Sequence, residues 1–321
     1  MRGIGASLTF AVTLAFTSSG SAAEILVSQY NNDPSGAPYA IALEKGFFKK
    51  RGADVTAIVS GAGGGTSVRS AMATGLDYGD VAAAPVIAAA EHGEDVKIIG
   101  ITSRSLSDLV VVAMQNSPLR TVADLKNKKF GISNPKSLGK MMGVLLLEQA
   151  GLRLSDVQMV SLGSLSAALT ALENGVVDVT VMPVILFHMR GGENKYRVLV
   201  NPRDLPFVPS QIAMATGSAI KTHPDQLRAI VAARRDGADF IYEHTDEAIG
   251  ILAKIYRPLP ATDVEEMVKA LAQGKFWSEG RIEMPLLANT MHAMQRVEML
   301  EKKVDLAHLV DSSFLSTDLQ R

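Results

Sequence analysis

Apolar residues along this chain come in short runs that switch repeatedly between two spacings. "EILVSQY" holds a nearly continuous run, Ile25, Leu26 and Val27, and predicts a strand. In "APYAIALEKGFFKKRG", Ala40, Leu43 and Phe47 fall on one helical stripe, and Gly46 and Gly52 mark stops. "DVTAIVS" predicts a second strand. A helix is expected from about Thr66 to Thr74, with Val68 and Met72 one turn apart. "YGDVAA" then reads as a strand, "VIAAAEHG" as a helix and "VKIIGIT" as a strand. Strands alternating with helices at this spacing mean a mainly parallel sheet.

"DLVVVAMQNS" is longer and wholly apolar at its centre, and after it the alternation resumes. "KFGIS", "VQMVSL", "VVDVTVM" and "KYRVLV" predict strands; "LGKMMGVLLLEQAG" and "LSAALTALENG" predict helices. From His223 the pattern becomes helical throughout, with Leu227, Ile230, Val231, Arg234 and Ala238 in helical order and Pro285 expected in the first turn of a last helix. An internal echo links Ala71–Pro85 with Ala171–Pro183: helix end, glycine (Gly75, Gly175), acidic residue, short strand, proline. It favours two similar α/β lobes over one long sheet. Facing lobes would put the carboxyl ends of their strands, where open α/β sheets bind ligands, on one cleft.

The first residues change the picture of where the chain works. Arg2 precedes an apolar stretch, Leu8 to Phe16, too short to span a bilayer, and Ser21-Ala22-Ala23 offers small residues for cleavage. A secretory signal over 1–23 is expected, with Glu24 the first mature residue and the bacterial periplasm the destination. No later apolar run is long enough for a membrane span. The 321 residues carry a formal charge of -1, without the basic excess of a general nucleic-acid binder. The chain has no cysteine, which removes thiolate catalysis, Cys-ligated zinc, disulfides and a lipidated N-terminal Cys.

"VSGAGGGTSVRSA" raises the possibility of a phosphate loop, but Gly65 is followed by Thr66 and Ser67 where a Walker loop needs Lys. A dinucleotide fingerprint fails too, because Thr66 stands where its third glycine belongs. What remains is backbone that a ligand can approach closely, leading into a helix start whose N–H groups suit a negative or polar group. The alternative is a flexible turn with Thr66 as a plain N-cap. Six histidines are scattered without H-x-x-x-H spacing, and no Ser–His–acid context appears. No catalytic residue, metal site or cofactor is assigned.

"PYAIALEKGFFKKRGADV", "TVADLKNKKFGIS" (Asn127 replacing a usual Gly), "VDVTV" and "VDLAHLVDSSF" together resemble, in order, the periplasmic solute-binding proteins of ABC importers for nitrate, sulfonates, taurine and thiamine-pyrimidine precursors. The resemblance implies a two-lobed type II binding fold with a central ligand cleft and a helical C-terminal tail. Lobe one would be 24–108 and 212–321, and lobe two 109–211. It implies ligand contacts from Asn31 and Tyr39; Gly65, Thr66 and Ser67; Ala84 and Pro85; Ser133, Asn134 and Ser137; and Met182 and Pro183. Arg104, Lys140 and His188 are the nearest cations to counter an anion, and each also reads as a solvated surface group. The implied function is capture of a small organic solute, an organic anion such as a sulfonate or carboxylate, by a monomer. The monomer would deliver it to an ABC permease in the inner membrane. An enzyme of pyrimidine- or menaquinone-pathway type on the same fold is the alternative, and an exported sensing module a third.

Overall fold

The computed structural model describes residues 23–200 and 208–320; the expected export signal, apart from Ala23, lies outside them. The alternation resolves into two sheets. The first is built from β1 (Ala23–Ser28), β2 (Val55–Gly61), β3 (Tyr78–Val81), β4 (Val96–Ser103), β10 (Gln211–Thr216) and β11 (Trp277–Gly280), in the order β11-β4-β10-β3-β1-β2. The second holds β5 (Leu109–Met114), β6 (Lys129–Ile132), β7 (Gln158–Ser161), β8 (Val179–Pro183) and β9 (Tyr196–Val200), in the order β7-β6-β8-β5-β9.

The two sheets repeat one pattern. β1 runs parallel to β2 and β3, and β6 runs parallel to β7 and β8. Each sheet then admits one antiparallel strand at a crossing point: β10 lies between β3 and β4, and β5 between β8 and β9. The chain therefore passes from one lobe to the other between Ser103 and Leu109 and returns between Val200 and Gln211. Both crossing strands are internal to their sheets, so five of six residues are buried in each. Burial on both faces is why "DLVVVAM" reads as an unbroken apolar run.

The helices that bear on the cleft are α1 (Ala37–Glu44), α2 (Gly64–Thr74), α3 (Ala83–Glu91), α4 (Leu138–Gln149), α5 (Leu165–Glu173), α6 (Pro224–Glu243) and α7 (Met284–Arg296). The echo is partly conformational. Gly75 and Gly175, just beyond α2 and α5, have φ of 68° and 69°, the left-handed exit that favours glycine. The prolines differ: Pro183 ends β8, whereas Pro85 lies inside α3.

The helical tail packs largely on the first lobe. α6 lies so close to α1 that a Cβ on Gly237 would sit 2.1 Å from the Pro38 carbonyl oxygen. α7, with Pro285 in its first turn, rests against both α3 and α4, one helix from each lobe, and its Arg296 pairs with Glu148 of α4. β11, which the apolar pattern does not signal, carries the buried Trp277. Its indole N–H donates to the Pro34 carbonyl at 2.8 Å and ties the tail to the loop after β1.

Candidate functional site

The glycine corner is where the lobes meet. β2 ends at Gly61, and α2 starts at Gly64, two residues earlier than the pattern predicts, with Gly63 (φ 90°) as its cap. Thr66 is thus inside the first turn and caps nothing. Ser67 does the local work: its buried hydroxyl accepts from the Gly63 N–H at 2.9 Å and lies 3.2 Å from the Ser28 hydroxyl. The glycines are needed because the second lobe presses on them. A Cβ on Gly64 (φ 55°) would come within 2.7 Å of Asn134 Nδ2 and 3.0 Å of Ser133 Oγ; one on Gly63 would touch Leu165 at 3.4 Å. Thr66 Oγ1 adds a long contact, 3.5 Å, to the Gly163 carbonyl across the cleft.

Behind this contact lies a cavity enclosed by both lobes. Ser28, Gln29, Asp33, Gly63, Gly64 and Ala82 line it from the first, and Leu109, Ser133, Ser137, Leu138, Gly139, Leu165 and Val181 from the second. Asp108, Ser210 and Gln211 line it at the two crossings. Its free volume for water-sized molecules is about 40 Å³, room for a few waters. Ligand pockets for organic molecules run to roughly 300–1,000 Å³, so the lobes have to part before a solute enters.

Helix starts supply one kind of polarity. α2 begins at the cavity, and so does α4, whose cap Ser137 accepts from the Lys140 N–H at 3.2 Å. The first-turn N–H groups of a helix have no acceptor within the helix and carry its positive dipole end. Carboxylates supply the opposite kind. Asp33 is buried and accepts from the Ser35 N–H at 2.8 Å; burial pushes its carboxyl up to about 6. Asp108 is fully buried, and burial, reinforced by the charge of Asp33, pushes its carboxyl well above the usual range. Gln29 is held beside them in the left-handed region (φ 55°), with its side-chain amide donating to the Gly61 carbonyl at 3.2 Å.

Of the residues singled out from sequence, Ser133 and Ser137 line the cavity, and Thr66, Ser67 and Asn134 shape its glycine wall. Gly65 sits one position past the wall glycines, its own nearest neighbour being Arg69. Tyr39 stands elsewhere. Fully buried, it donates to Asp80 at 2.5 Å and lies 2.6 Å from the Tyr78 hydroxyl, inside lobe one. Ala84 and Pro85 are core residues of α3, Met182 and Pro183 are buried in β8, and Asn31 is exposed; none lines the cavity. The three candidate cations are outside it as well. Arg104 binds Glu279 (2.9 Å) and Glu283 (3.1 Å), His188 is exposed with its ring edge-on to Phe187, and Lys140 is half-buried on the first turn of α4. Sequence reasoning passed over Gln29, Asp33, Asp108, Ser210 and Gln211. Asp33 had a signal, "NNDPSG", in which the Asp-Pro step marks a turn directly after a strand. Among the described residues no group of His, Asp and Glu is placed to hold a metal, and no helix is long and apolar enough to cross a membrane.

A family model described as "NMT1/THI5 like" matches residues 33–248, which takes in α1, the glycine corner, the whole second lobe and α6. The chain belongs to the NMT1/THI5-like family. Like other proteins of the type II periplasmic binding fold, this NMT1/THI5-like protein has two α/β lobes, a central cleft and a helical C-terminal region. A Bacillus subtilis (strain 168) protein assigned to binding aliphatic sulfonates is 25% identical over 294 residues, covering 88% of this chain and 85% of its own. The alkanesulfonate-binding protein SsuA from Xanthomonas axonopodis pv. citri, solved with MOPS bound, superposes with a TM-score of 0.76 at 17% identity, over 92% of this chain and 99% of that one. The periplasmic nitrate-binding protein NrtA from Synechocystis PCC 6803 gives 0.74 at 14% identity, over 92% and 87%.

Proposed function

We propose that this NMT1/THI5-like protein is an exported receptor that captures a small organic anion, a sulfonate or carboxylate, in the interlobe cleft and hands it to an ABC-type permease. The observation that carries the reading is the convergence of two helix starts, α2 at Gly63 and Gly64 and α4 at Ser137, on one cavity between the lobes. Their N–H groups and the Ser133 and Ser137 hydroxyls offer donors to an anionic head without a cationic side chain. The apolar Leu109, Leu138, Leu165 and Val181 would hold an organic body. Closure of the lobes over the solute is a population shift toward a ligand-stabilised form, with the two crossings as hinges. The sulfonate-binding relatives favour a sulfonate among the anions.

Calorimetric titration of the protein lacking residues 1–23 with alkanesulfonates, small carboxylates, nitrate and a pyrimidine tests this. Stoichiometric binding of at least one anion without turnover is expected. Silence across the panel, or consumption of the solute, would refute the receptor reading. Cell fractionation checks export, and co-purification from membranes checks the permease.

A further inference from the structure

Lys136 of the second lobe reaches across to Glu91 of the first, with its Nζ 3.2 Å from Oε2, and neither residue lines the cavity. Glu91 is the last residue of α3. A carboxylate there meets the negative end of the helix dipole, where a cation would be favoured, so the helix gains nothing from it. Yet its side chain is only 1% exposed and is firmly held. Oε1 accepts from the backbone N–H groups of Glu301 and Lys302, the latter at 2.6 Å, both in the tail beyond α7. Those bonds fix the carboxylate but bring no counter-charge. Lys136 brings it. Its ammonium also donates to His92 Nε2 at 3.0 Å, so two neighbouring acceptors at the end of α3 receive one side chain from the opposite lobe.

Lys136 belongs to the polar corner of the cleft as well. Its N–H donates to Asn134 Oδ1 at 3.1 Å, and Asn134 faces Gly64 where the lobes touch. The next residue, Ser137, caps α4 and lines the cavity. The backbone of Lys136 is thus built into the corner, while its ammonium grips the first lobe from outside. The tail bonds to Glu91 do not involve the second lobe, so the carboxylate stays in place when the lobes part. An acceptor already in position costs little ordering on closure. The pair Arg296–Glu148 also reaches the second lobe, but both partners are exposed, and such pairs contribute little.

We propose that Lys136 is a positioning residue for solute capture: its ammonium bolts the polar corner of the second lobe onto Glu91 and His92, and the bolt engages only when the lobes close. This role rests on the receptor reading and adds to it the residue that holds the loaded form shut. Lys136 itself touches no solute. It acts through Asn134 and Ser137, and its effect is on residence time, because a solute leaves only after the ammonium lets go.

The test uses the mature chain and the tightest binder among ethanesulfonate, propanesulfonate, propionate and nitrate. Lys136→Met removes the charge and keeps an unbranched side chain. It is expected to bind about tenfold more weakly, through faster dissociation in stopped flow, with an unliganded melt close to wild type. Lys136→Arg should restore most of the affinity. In a Glu91→Gln background, where the amide oxygen still serves the tail N–H groups, Lys136→Met should add less than about threefold. The gap between Lys136→Met and wild type should narrow from about 20 mM to about 500 mM sodium chloride. A merely structural role would lower the melt and leave the dissociation rate alone. Because the chain has no cysteine, spin labels at Ala73→Cys and Thr170→Cys, exposed on α2 and α5 of opposite lobes, report the interlobe distance. Lys136→Met should lengthen it. An affinity and dissociation rate within about twofold of wild type overturn the proposal and leave the receptor reading standing. If no probe binds, the receptor reading fails and the unliganded distances judge Lys136 by themselves: longer in Lys136→Met, they uphold the bolt; unchanged, they overturn it.

Discussion

Gly64→Ala should weaken solute binding without unfolding the protein, because the new methyl group acts as a wedge between lobes. Two costs arise, and they separate cleanly. Gly64 has φ of 55°, and an alanine there costs roughly 1–2 kcal/mol of backbone strain in open and closed forms alike. That cost lowers the melting temperature and leaves affinity alone. The second cost exists only when the lobes are closed. The added Cβ would lie 2.7 Å from Asn134 Nδ2 and 3.0 Å from Ser133 Oγ, both on the opposite lobe. Asn134 can rotate away only by giving up the hydrogen bond its Oδ1 accepts from the Lys136 N–H at 3.1 Å, worth about 1 kcal/mol, and Ser133 must also yield. Closed loses about 1–2 kcal/mol relative to open, which appears as an affinity about 5- to 30-fold weaker. Calorimetry with the tightest-binding solute and a thermal melt read the two costs separately, and solution scattering reads the shift toward the open form. Adding Asn134→Ala to Gly64→Ala removes the 2.7 Å contact and should recover most of the affinity but none of the stability. Affinity within about twofold of wild type in Gly64→Ala, with only the melt lowered, would refute the idea that closure presses the lobes together at this corner.

The buried carboxylates make stability depend on pH in a direction opposite to ordinary acid denaturation. Burial raises the Asp33 carboxyl to about 6, so the folded chain holds this proton more tightly than the unfolded chain. Its stabilising contribution is complete below about pH 4 and is lost as pH rises through about 6. The unliganded wild type should therefore gain on Asp33→Asn, by on the order of 1–3 kcal/mol, when melts are compared at pH 5 rather than pH 7.5; a pH-independent difference contradicts this. Tyr39→Phe takes from Asp80 its 2.5 Å donor inside lobe one, and should cost about 1–3 kcal/mol of stability while leaving solute affinity within twofold. A tenfold loss of affinity with an unchanged melt would instead place Tyr39 at the solute. Arg104→Ala breaks part-exposed ion pairs with Glu279 and Glu283, costs about 1 kcal/mol or less, and should not change anion affinity in a calorimetric titration.

How much was legible from the chain follows from which forces are local. Alternation of short apolar runs with helical stripes marked both lobes, because burial between helices imposes its period on each strand by itself. The long apolar run of "DLVVVAM" was legible as well, since β5 is buried on both faces, but that this strand crosses between lobes was implied only by the family resemblance. Gly75 and Gly175 were legible as helix exits for the same local reason. β11 was not, because "WSEG" earns its place by pairing with β4 and by the Trp277 bond to Pro34, over two hundred residues away.

The site divides in the same way. Glycines, Ser133 and Ser137 could be found from sequence because a helix start announces itself within a few residues. Tyr39 looked equally polar and equally well placed, yet the register of α1 turns it inward onto Asp80. Asp108 and Gln211 lie about a hundred residues apart and meet only because the chain crosses between lobes twice. Nothing near either one in sequence says that it will be buried facing a cavity without a counter-ion. Local patterning determines which segments fold and where they bend, since it depends on neighbours within a turn or two. Which charges end up sharing one cleft depends on topology, and so it was decided by the tertiary structure alone.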